Sequence, residues 1–303
     1  MIRNRITLKQ LEAFVCVLDA GSFRKAAAIL GTTQPNISNR IATLEESLNV
    51  VLMHRDAGSV RLTETGETLL ASARDVLRAA EGLVEAAGRK DLIADRLRLG
   101  ATELIACTWL HPFLRAFRES YPAVSVELEV DLSTEIEQKL AAGQIDLALM
   151  VGPVKQAGGA GTSLGSHPYA WIATASGSPP TNTAALSDLM ADGVLVHSRN
   201  TAAARELVAF CGKNGILTDR IVYSSSLTSA VQMAVDRMGT ALVPKAIAQA
   251  HLASGELVEV PCDWLPRPLE FHAQYNAPRA PGFVKFAATL ASEVAAQSHD
   301  KIL

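Results

Sequence analysis

The sequence predicts a mixed fold: an N-terminal all-α domain with a winged helix-turn-helix, a long linker helix, and then two α/β lobes. Residues 22–41 have the pattern of two short amphipathic helices joined by a tight turn, and residues 64–90 keep one helical apolar stripe. From residue 95 onward, strand and helix patterns alternate, as in α/β proteins. The predicted domains are residues 1–63, 64–90 and 91–303, the last divided into lobe I (about 91–163 and 268–303) and lobe II (about 164–267).

The turn between the two short helices is specified by four kinds of residue. Ser22 can accept a hydrogen bond from a first-turn amide and so begin the first helix. Gly31 adopts the left-handed conformation that often ends a helix, and Thr32 or Thr33 can cap the next one. Pro35 fits the first turn of that second helix, where no amide hydrogen is needed. The spacing therefore predicts a helix-turn-helix.

The second helix of the pair has one apolar and one polar face. Ile37, Ile41 and Leu44 follow the i, i+4, i+7 spacing of a buried face. The other face carries side chains that read DNA, since Gln and Asn pair with adenine, Arg pairs with guanine, and Ser or Thr contact bases or phosphates. An ordinary helical hairpin with a solvated polar face is the alternative. The predicted DNA-contacting residues in this region are Arg24, Thr33, Gln34, Pro35, Asn36, Ser38, Asn39, Arg40 and Thr43.

The flanking segments complete the predicted DNA-binding domain. A preceding helix presents Phe14 to the centre of a three-helix core, and its predicted apolar face comprises Leu8, Leu11, Phe14, Val15 and Leu18. Residues 51–55 and 60–62 are extended runs around turn formers, which is typical of a β-hairpin wing. Arg55 and Arg61 on the wing would lie near the phosphate backbone, where cations displace counterions, although either could simply be solvated. Thr63 is the last predicted DNA-contacting residue.

These features resemble the LysR-type transcriptional regulators over essentially the whole chain. The two departures from the family pattern are Leu48-Asn49 in place of Leu-Gly and Leu52-Met53 in place of Leu-Phe, and neither removes a DNA-contacting residue type. The matching stretches are residues 8–14, 21–23, Ala26-Ala27, Thr33-Gln34-Pro35, Ile37-Ser38, Leu44-Glu45, Arg55 and residues 62–66.

The resemblance implies a function and a set of partners. It implies a sequence-specific transcriptional regulator that binds double-stranded operator DNA and a small-molecule effector, with RNA polymerase as a further partner. It also implies that the lobes are similar to periplasmic binding proteins of type 2, and that paired linker helices form a homodimer, often a tetramer of two dimers.

The predicted linker helix runs from Thr63 to about Arg89. Its apolar residues repeat at alternating steps of four and three, which is the spacing of a heptad seam. Burial of this seam against a second copy is our prediction, and packing against its own domain is the alternative. The seam residues are Leu69, Ala73, Val76, Ala80, Leu83 and Ala87.

The two lobes suggest where an effector would bind. Ligands of open α/β domains lie at the carboxyl ends of the strands, against helix N-termini, and hydroxyl-rich loops follow the predicted strands here. One Arg, one His and several hydroxyls could face a single cleft, which suits a small carboxylate or aromatic acid, and helix capping is the alternative role for the hydroxyls. Glu103 could bind an amine or a hydroxyl group, or simply point to solvent. The predicted effector-binding residues are Ala101, Thr102, Glu103, Ser133, Thr134, Val151, Arg199, Asn200, Thr201, Ser225 and Ser226. The Gly-rich residues 158–161 are expected to form a surface loop.

Composition and motif searches limit the other function classes. Residues 1–63 carry eight Lys or Arg against five Asp or Glu, so a local charge of +3 contrasts with −3 for the whole chain, as expected when one end touches nucleic acid. No metal, phosphate-loop or nucleophile motif is recognised, so we expect no cofactor and no enzyme activity. No signal peptide or membrane span is recognised, which favours a cytoplasmic protein over an exported solute-binding protein. Cys16 and Cys107 lie in predicted helices and are expected to pack as small apolar residues, with redox sensing as the alternative. The scattered cysteines, all expected to be reduced, are Cys16, Cys107, Cys211 and Cys262.

Overall fold

The computed structural model describes residues 6–56, 59–152, 159–175, 182–278 and 280–299. Two compact units result, one of Met1–Ala94 with Pro281–Phe283 and the other of Asp95–Ala280 with Val284–Leu303. In the first unit the elements are α1 (Leu8–Ala20), α2 (Phe23–Ile29), α3 (Gln34–Leu48), β1 (Met53–Asp56), β2 (Ser59–Leu62), α4 (Glu64–Ala86) and a 3-10 turn at Lys90–Leu92.

Helices α1, α2 and α3 pack around a small apolar core. Phe14 lies at its centre and is fully buried, as predicted, together with Ile37 and Ile41. The predicted apolar face of α1 was wrong in part. Ala13 and Val17 are buried, whereas Leu8 is 44% exposed, because the core-facing stripe of α1 is rotated away from that side of the helix.

The turn of the helix-turn-helix follows the sequence signals closely. The Ser22 hydroxyl accepts a hydrogen bond from the Lys25 amide at 3.2 Å, and Gly31 has a φ of +58°. Thr33 occupies the N-cap of α3 but makes no side-chain capping bond. Asn49 ends α3 with a φ of +54°, so Asn fills the left-handed position where the family usually has Gly.

The wing is a two-stranded antiparallel hairpin in which Met53 pairs with Leu62. Residues 57 and 58 of its turn lie outside the described part of the chain. Leu52 and Met53 are both fully buried, so the departure from the family's Leu-Phe pattern still fills the space beneath the wing. The Glu45 carboxylate accepts hydrogen bonds from the Leu52 and Met53 amides at 2.8 and 3.4 Å, and this ties α3 to the start of the wing.

Some apolar residues of α4 are buried and others are exposed. Ala73 is buried, and Leu69 and Leu77 pack against the core of the three-helix head. Val76 and Leu83 remain 48% and 73% exposed. Part of the predicted heptad seam is therefore buried within its own unit, and the remainder faces outward.

Lobe I is built on a five-stranded mixed sheet. Its strand order is β4-β3-β5-β12-β6, in which β3, β4 and β5 are parallel and β12 and β6 run antiparallel to their neighbours. Its elements are β3 (Arg96–Ala101), α5 (Glu103–Thr108), α6 (Leu110–Ser120), β4 (Ser125–Val130), α7 (Ser133–Ala141), β5 (Leu147–Val151), β6 (Gly159–His167), β12 (Leu269–Asn276) and α12 (Gly282–His299).

Strand β6 corrects one expectation. Residues 159–161, expected to be a loop, pair with the end of β12, where Gly159 lies opposite Asn276 and Gly161 opposite Gln274. Backbone pairing at an edge strand needs no side chain to pack, so a Gly-rich segment can join a sheet that already exists. Gly158 lies outside the described residues. The strand continues to His167, beyond the predicted crossing between lobes at residues 163 and 164.

Lobe II repeats the arrangement, as the sequence predicted. Its sheet order is β11-β7-β10-β8-β9, with β8, β9 and β10 parallel. Three short elements were not predicted because each has fewer than eight residues and little periodicity: α8, α11 and β11. The elements are β7 (Tyr169–Thr174), α8 (Leu186–Asp192), β8 (Val194–His197), α9 (Ala202–Asn214), β9 (Ile221–Ser224), α10 (Leu227–Val235), β10 (Thr240–Pro244), a 3-10 turn (Lys245–Ala248), α11 (Gln249–Ala253) and β11 (Leu257–Glu259).

Candidate functional site

The outer face of α3 presents the polar side chains that the sequence assigned to DNA. Gln34, Asn36 and Asn39 are exposed, as are Thr33, Pro35 and Thr43, whereas Ser38 and Arg40 are half-buried. Asn36 donates a hydrogen bond to the Thr32 hydroxyl at 2.9 Å, and Thr43 donates to the Asn39 carbonyl at 2.9 Å. The polar face and the buried face of α3 are thus on opposite sides, as the periodicity predicted.

Cations flank this helix on both neighbouring elements. Arg24 is exposed near the start of α2, and Arg61 is exposed on β2 opposite His54. Arg55 lies on β1, paired with Val60. Thr63 has a structural role, because its hydroxyl donates to the Val51 carbonyl at 2.6 Å and accepts from the Gly66 amide at 2.9 Å.

In lobe I, three loops meet at the carboxyl edge of the sheet. The Thr102 amide donates to the Leu149 carbonyl at 3.2 Å, and the Ser133 hydroxyl accepts from the Val151 amide at 3.1 Å. Ala101 is buried at the end of β3, and Thr134 is exposed. The sequence therefore placed these loops correctly at one edge.

Thr102 and Ser133 differ in what their hydroxyls do. The Ser133 hydroxyl is occupied by the Val151 amide. The Thr102 hydroxyl oxygen is buried, has no hydrogen-bond partner, and does not cap α5. A buried polar atom without a partner costs stability and is a sign of a missing ligand or water. Capping therefore explains neither residue.

The hydroxyls of lobe II act mainly within the lobe. The Thr201 hydroxyl accepts from the Ala204 amide at 3.3 Å and caps α9. The Ser226 hydroxyl accepts from the Ser229 amide at 3.2 Å and caps α10. Ser225 and Asn200 are exposed. Capping therefore explains Thr201 completely and Ser226 in part.

Glu103 joins the two lobes. From the first residue of α5 in lobe I, its carboxylate reaches the first turn of α10 in lobe II, where the amides of Leu227 and Thr228 donate to it at 2.7 and 3.1 Å. The hydroxyls of Ser226 and Thr228 donate to it at 2.8 and 2.7 Å. Burial raises the pKa of Glu103, but these hydrogen bonds outweigh burial and hold the pKa below its usual value.

His197 lies at the end of β8, close enough to Glu103 for the carboxylate charge to affect its pKa. Burial lowers its pKa more than Glu103 and the Ser224 backbone raise it, so its imidazole is neutral at pH 7. Its Nδ1 atom is buried without a hydrogen-bond partner. Thr102, which precedes Glu103 in the chain, and His197 thus each have a buried polar atom with spare hydrogen-bonding capacity.

Arg199, expected to bind an effector carboxylate, contacts an aromatic ring of its own lobe. Its guanidinium carbon is 4.4 Å from the centre of the Tyr223 ring, a cation–π contact. Both side chains line a surface cavity of about 360 Å³ whose walls come entirely from lobe II: Arg199, Ala204, Arg205, Val208, Ala209 and Tyr223. The aromatic ring provides a local partner that sequence spacing did not reveal.

Thr228 is a residue of the site that the sequence reasoning missed. It contributes two donors to Glu103, its amide and its hydroxyl. The available signal for Thr228 was its position, since the second residue of a helix has an amide without an intrahelical acceptor. The identity of the acceptor, a carboxylate more than 120 residues away in sequence, could not be read from spacing.

Among the described residues, no group of three or more His, Cys, Asp and Glu side chains could hold a metal ion. Cys107 is exposed on α5, so the expectation that it packs as a small apolar residue is wrong, whereas Cys211 is buried. Burial and the nearby Glu103 charge raise the pKa of the Cys107 thiol, which makes it less reactive. None of the described helices has the length and apolar character needed to cross a membrane.

Two protein-family models match the chain. Residues 8–67 match the bacterial regulatory helix-turn-helix protein, lysR family, and residues 90–295 match the LysR substrate binding domain. Together these matches include most of the helix-turn-helix unit and both lobes.

Two relatives that are more than 30% identical match about half of the chain. A probable RuBisCO transcriptional regulator of Emiliania huxleyi is 34% identical over 49% of this chain and 48% of its own length. A probable hydrogen peroxide-inducible genes activator of Streptomyces viridosporus is 35% identical over 50% of this chain and 49% of its own length. The match with these curated relatives thus spans about half of their length.

Solved structures show the same fold over nearly the whole chain. A full-length OxyR variant from Pseudomonas aeruginosa has a TM-score of 0.61 at 22% identity, covering 97% of this chain and 95% of its own. Full-length LysG from Corynebacterium glutamicum with bound effector Arg has a TM-score of 0.59 at 21% identity, covering 96% and 99%. Full-length CbnR complexed with target DNA has a TM-score of 0.52 at 22% identity, covering 96% and 100%. The predicted fold class is confirmed.

Proposed function

The chain belongs to the LysR family, and on this premise we propose that it is a sequence-specific, DNA-binding transcriptional regulator controlled by a small-molecule effector. The observation that carries the proposal is the exposed polar face of α3, flanked by cations on α2 and the wing. The matched relatives are named as regulators, not enzymes, and the similar CbnR structure holds target DNA. We place the protein in the cytoplasm, with RNA polymerase as a further partner.

The DNA-binding proposal assigns different roles to α3 and the wing. Gln34 and Ser38 lie on the outward face of α3 and have the chemistry to contact base edges. Arg55 and Arg61 lie on the hairpin, where phosphate contacts would supply affinity without sequence preference. Arg24, Thr33, Pro35, Asn36, Asn39, Arg40 and Thr43 complete the proposed interface, whereas the hydroxyl of Thr63 is already used within the fold.

Replacing Gln34 with Ala should weaken operator binding by about 1 to 3 kcal/mol and leave binding to random duplex unchanged, because a base contact is lost. Replacing Arg61 with Ala should weaken both duplexes alike and reduce the salt dependence, because a phosphate contact is lost. Fluorescence anisotropy with both duplexes over a range of salt concentrations measures the difference. Equal losses on both duplexes for Gln34→Ala would remove it from base readout.

Self-association through α4 is part of the proposal. The outward residues Val76 and Leu83 are seven positions apart, so they share one face of α4, and large apolar side chains this exposed favour a partner surface. Ala73, Leu69 and Leu77 pack against their own head and keep α4 fixed there. We propose a homodimer with paired α4 helices, able to assemble further into a tetramer.

Changing both Val76 and Leu83 to Glu should produce monomers, because the paired helices would bury like charges. Sedimentation equilibrium measures the mass. The matched control changes Ala71 and Gly82 to Glu, two exposed positions on a different face of α4, and should leave the mass unchanged. A double Val76/Leu83 variant with the mass of the native protein would show that α4 does not form the dimer contact.

We propose that the effector is a small carboxylate or aromatic acid bound between the lobes. Thr102, Ser133 and Val151 meet at the carboxyl edge of the lobe I sheet, and Ser226 meets Glu103 from lobe II. Thr102 is the strongest candidate contact, since its buried hydroxyl lacks a partner. Burial raises the pKa of the Cys107, Cys211 and Cys262 thiols, so these three residues form the reactive thiolate less readily.

A thermal-shift screen of small aliphatic carboxylates and aromatic acids should identify ligands that raise the melting temperature by mass action. Thr102→Val should keep the ligand-free melting temperature, because the lost hydroxyl has no partner, and should reduce the ligand-induced shift. Ser133→Ala should instead lower the ligand-free melting temperature, because the Val151 amide loses its acceptor. A full ligand-induced shift in Thr102→Val would exclude this hydroxyl from the effector site.

A further inference from the structure

The first turn of α10 holds a carboxylate that belongs to the other lobe. Two backbone amides and two hydroxyls donate to the Glu103 carboxylate at 2.7 to 3.1 Å. The helix begins at Leu227 and runs for nine residues, so its first amides have no intrahelical acceptor. Glu103 satisfies the amides of Leu227 and Thr228, and Ser226 satisfies the amide of Ser229.

This arrangement is the chemistry with which proteins bind small carboxylates. Amides at a helix N-terminus and neighbouring hydroxyls provide charge-assisted hydrogen bonds to an anion. The same four donors cannot bind Glu103 and a second carboxylate at once, and two negatively charged carboxylates side by side would repel each other. An effector that places a carboxylate at α10 must therefore displace Glu103.

Resting on the proposed effector function, we propose that Glu103 is an internal ligand of the cleft, with which a carboxylate effector competes for the first turn of α10. Glu103 thereby determines which effectors bind. Because Glu103 is part of the same chain, it binds these donors at a smaller entropic cost than a free carboxylate, and only an acid that makes further contacts can displace it. Two groups with spare hydrogen-bonding capacity, the Thr102 hydroxyl and the neutral His197 ring, are suited to provide those contacts.

The exchange of ligands would also change how the lobes are connected. Glu103 is part of lobe I, while its four donors belong to lobe II, so the internal ligand links the lobes. A free effector carboxylate would satisfy the same donors without this covalent connection. The two states therefore differ in interlobe restraint, which is the kind of differential contact that lets a ligand shift a conformational equilibrium.

Acetate tests the proposal without an identified effector. We expect the Leu227 and Thr228 amides of full-length Glu103→Ala protein to exchange hydrogen at least tenfold faster than in the native protein, because their acceptor is gone. Sodium acetate should slow that exchange again and raise the melting temperature of the variant, relative to sodium chloride at equal ionic strength. The native protein should respond to neither salt in this way, because its own carboxylate is in place.

A second carboxylate at a helix start provides the matched control. Asp263 accepts a hydrogen bond from the Leu186 amide at 2.9 Å, at the first residue of α8 in the same lobe. Asp263→Ala removes a carboxylate from one amide and the weak Cys262 thiol donor, instead of from two amides and two hydroxyls, so acetate should affect it much less. An equal acetate response in both variants would show only general anion binding at helix ends and would overturn the proposal.

Three further results would overturn it. The first is unchanged amide exchange in Glu103→Ala, and the second is faster exchange that acetate does not reverse. The third is an equal acetate effect on the native protein. If Glu103→Ala does not fold, Glu103→Gln keeps the side-chain length but removes the charge, and it should show faster exchange at the same two amides. Because neither DNA nor effector is present, failure here leaves the proposed regulatory function standing.

Discussion

A helix begins with amides that need acceptors, and at α10 the acceptor comes from the other lobe. A charged carboxylate that loses water must recover hydrogen bonds, and Glu103 recovers four of them from Ser226, Leu227 and Thr228. The same requirement places the start of α5 against the start of α10. The geometry of the effector half therefore depends on two complementary needs: free amides on one lobe and a desolvated charge on the other.

The DNA-binding half depends on a different constraint. Its core is small, so each helix must place its few large apolar side chains inward, and Phe14, Ile37 and Ile41 do so. Because the apolar residues of α3 point inward, the polar residues on its opposite face point outward. The Glu45 carboxylate then fixes the start of the wing to α3 by accepting hydrogen bonds from two backbone amides.

Local chemistry made much of this predictable from sequence. Ser22, Gly31 and Pro35 specified the turn because each acts on neighbouring backbone, and the strand–helix alternation specified both lobes. Contacts between residues distant in sequence were not predictable. Arg199 lies over the Tyr223 ring, and Thr228 provides half of the donors to Glu103. The Gly-rich start of β6 was misjudged because pairing with β12 overrides the flexibility of glycine. Periodicity gives the face of an element but not its partner.

The Glu103 carboxylate of lobe I, which accepts four hydrogen bonds from lobe II, should restrain the two lobes relative to each other. Arg118 on α6 and Lys213 on α9 are both exposed, and each can be replaced by an unnatural amino acid that carries a fluorophore. Single-molecule fluorescence resonance energy transfer between the two fluorophores then reports the distance between the lobes. Mixing the labelled protein with excess unlabelled protein ensures that each oligomer contains at most one labelled chain, so the energy transfer occurs within that chain. The native protein should give one narrow distance distribution, and Glu103→Ala should give a broader distribution with a longer mean. Identical distributions for the two proteins would contradict the claim.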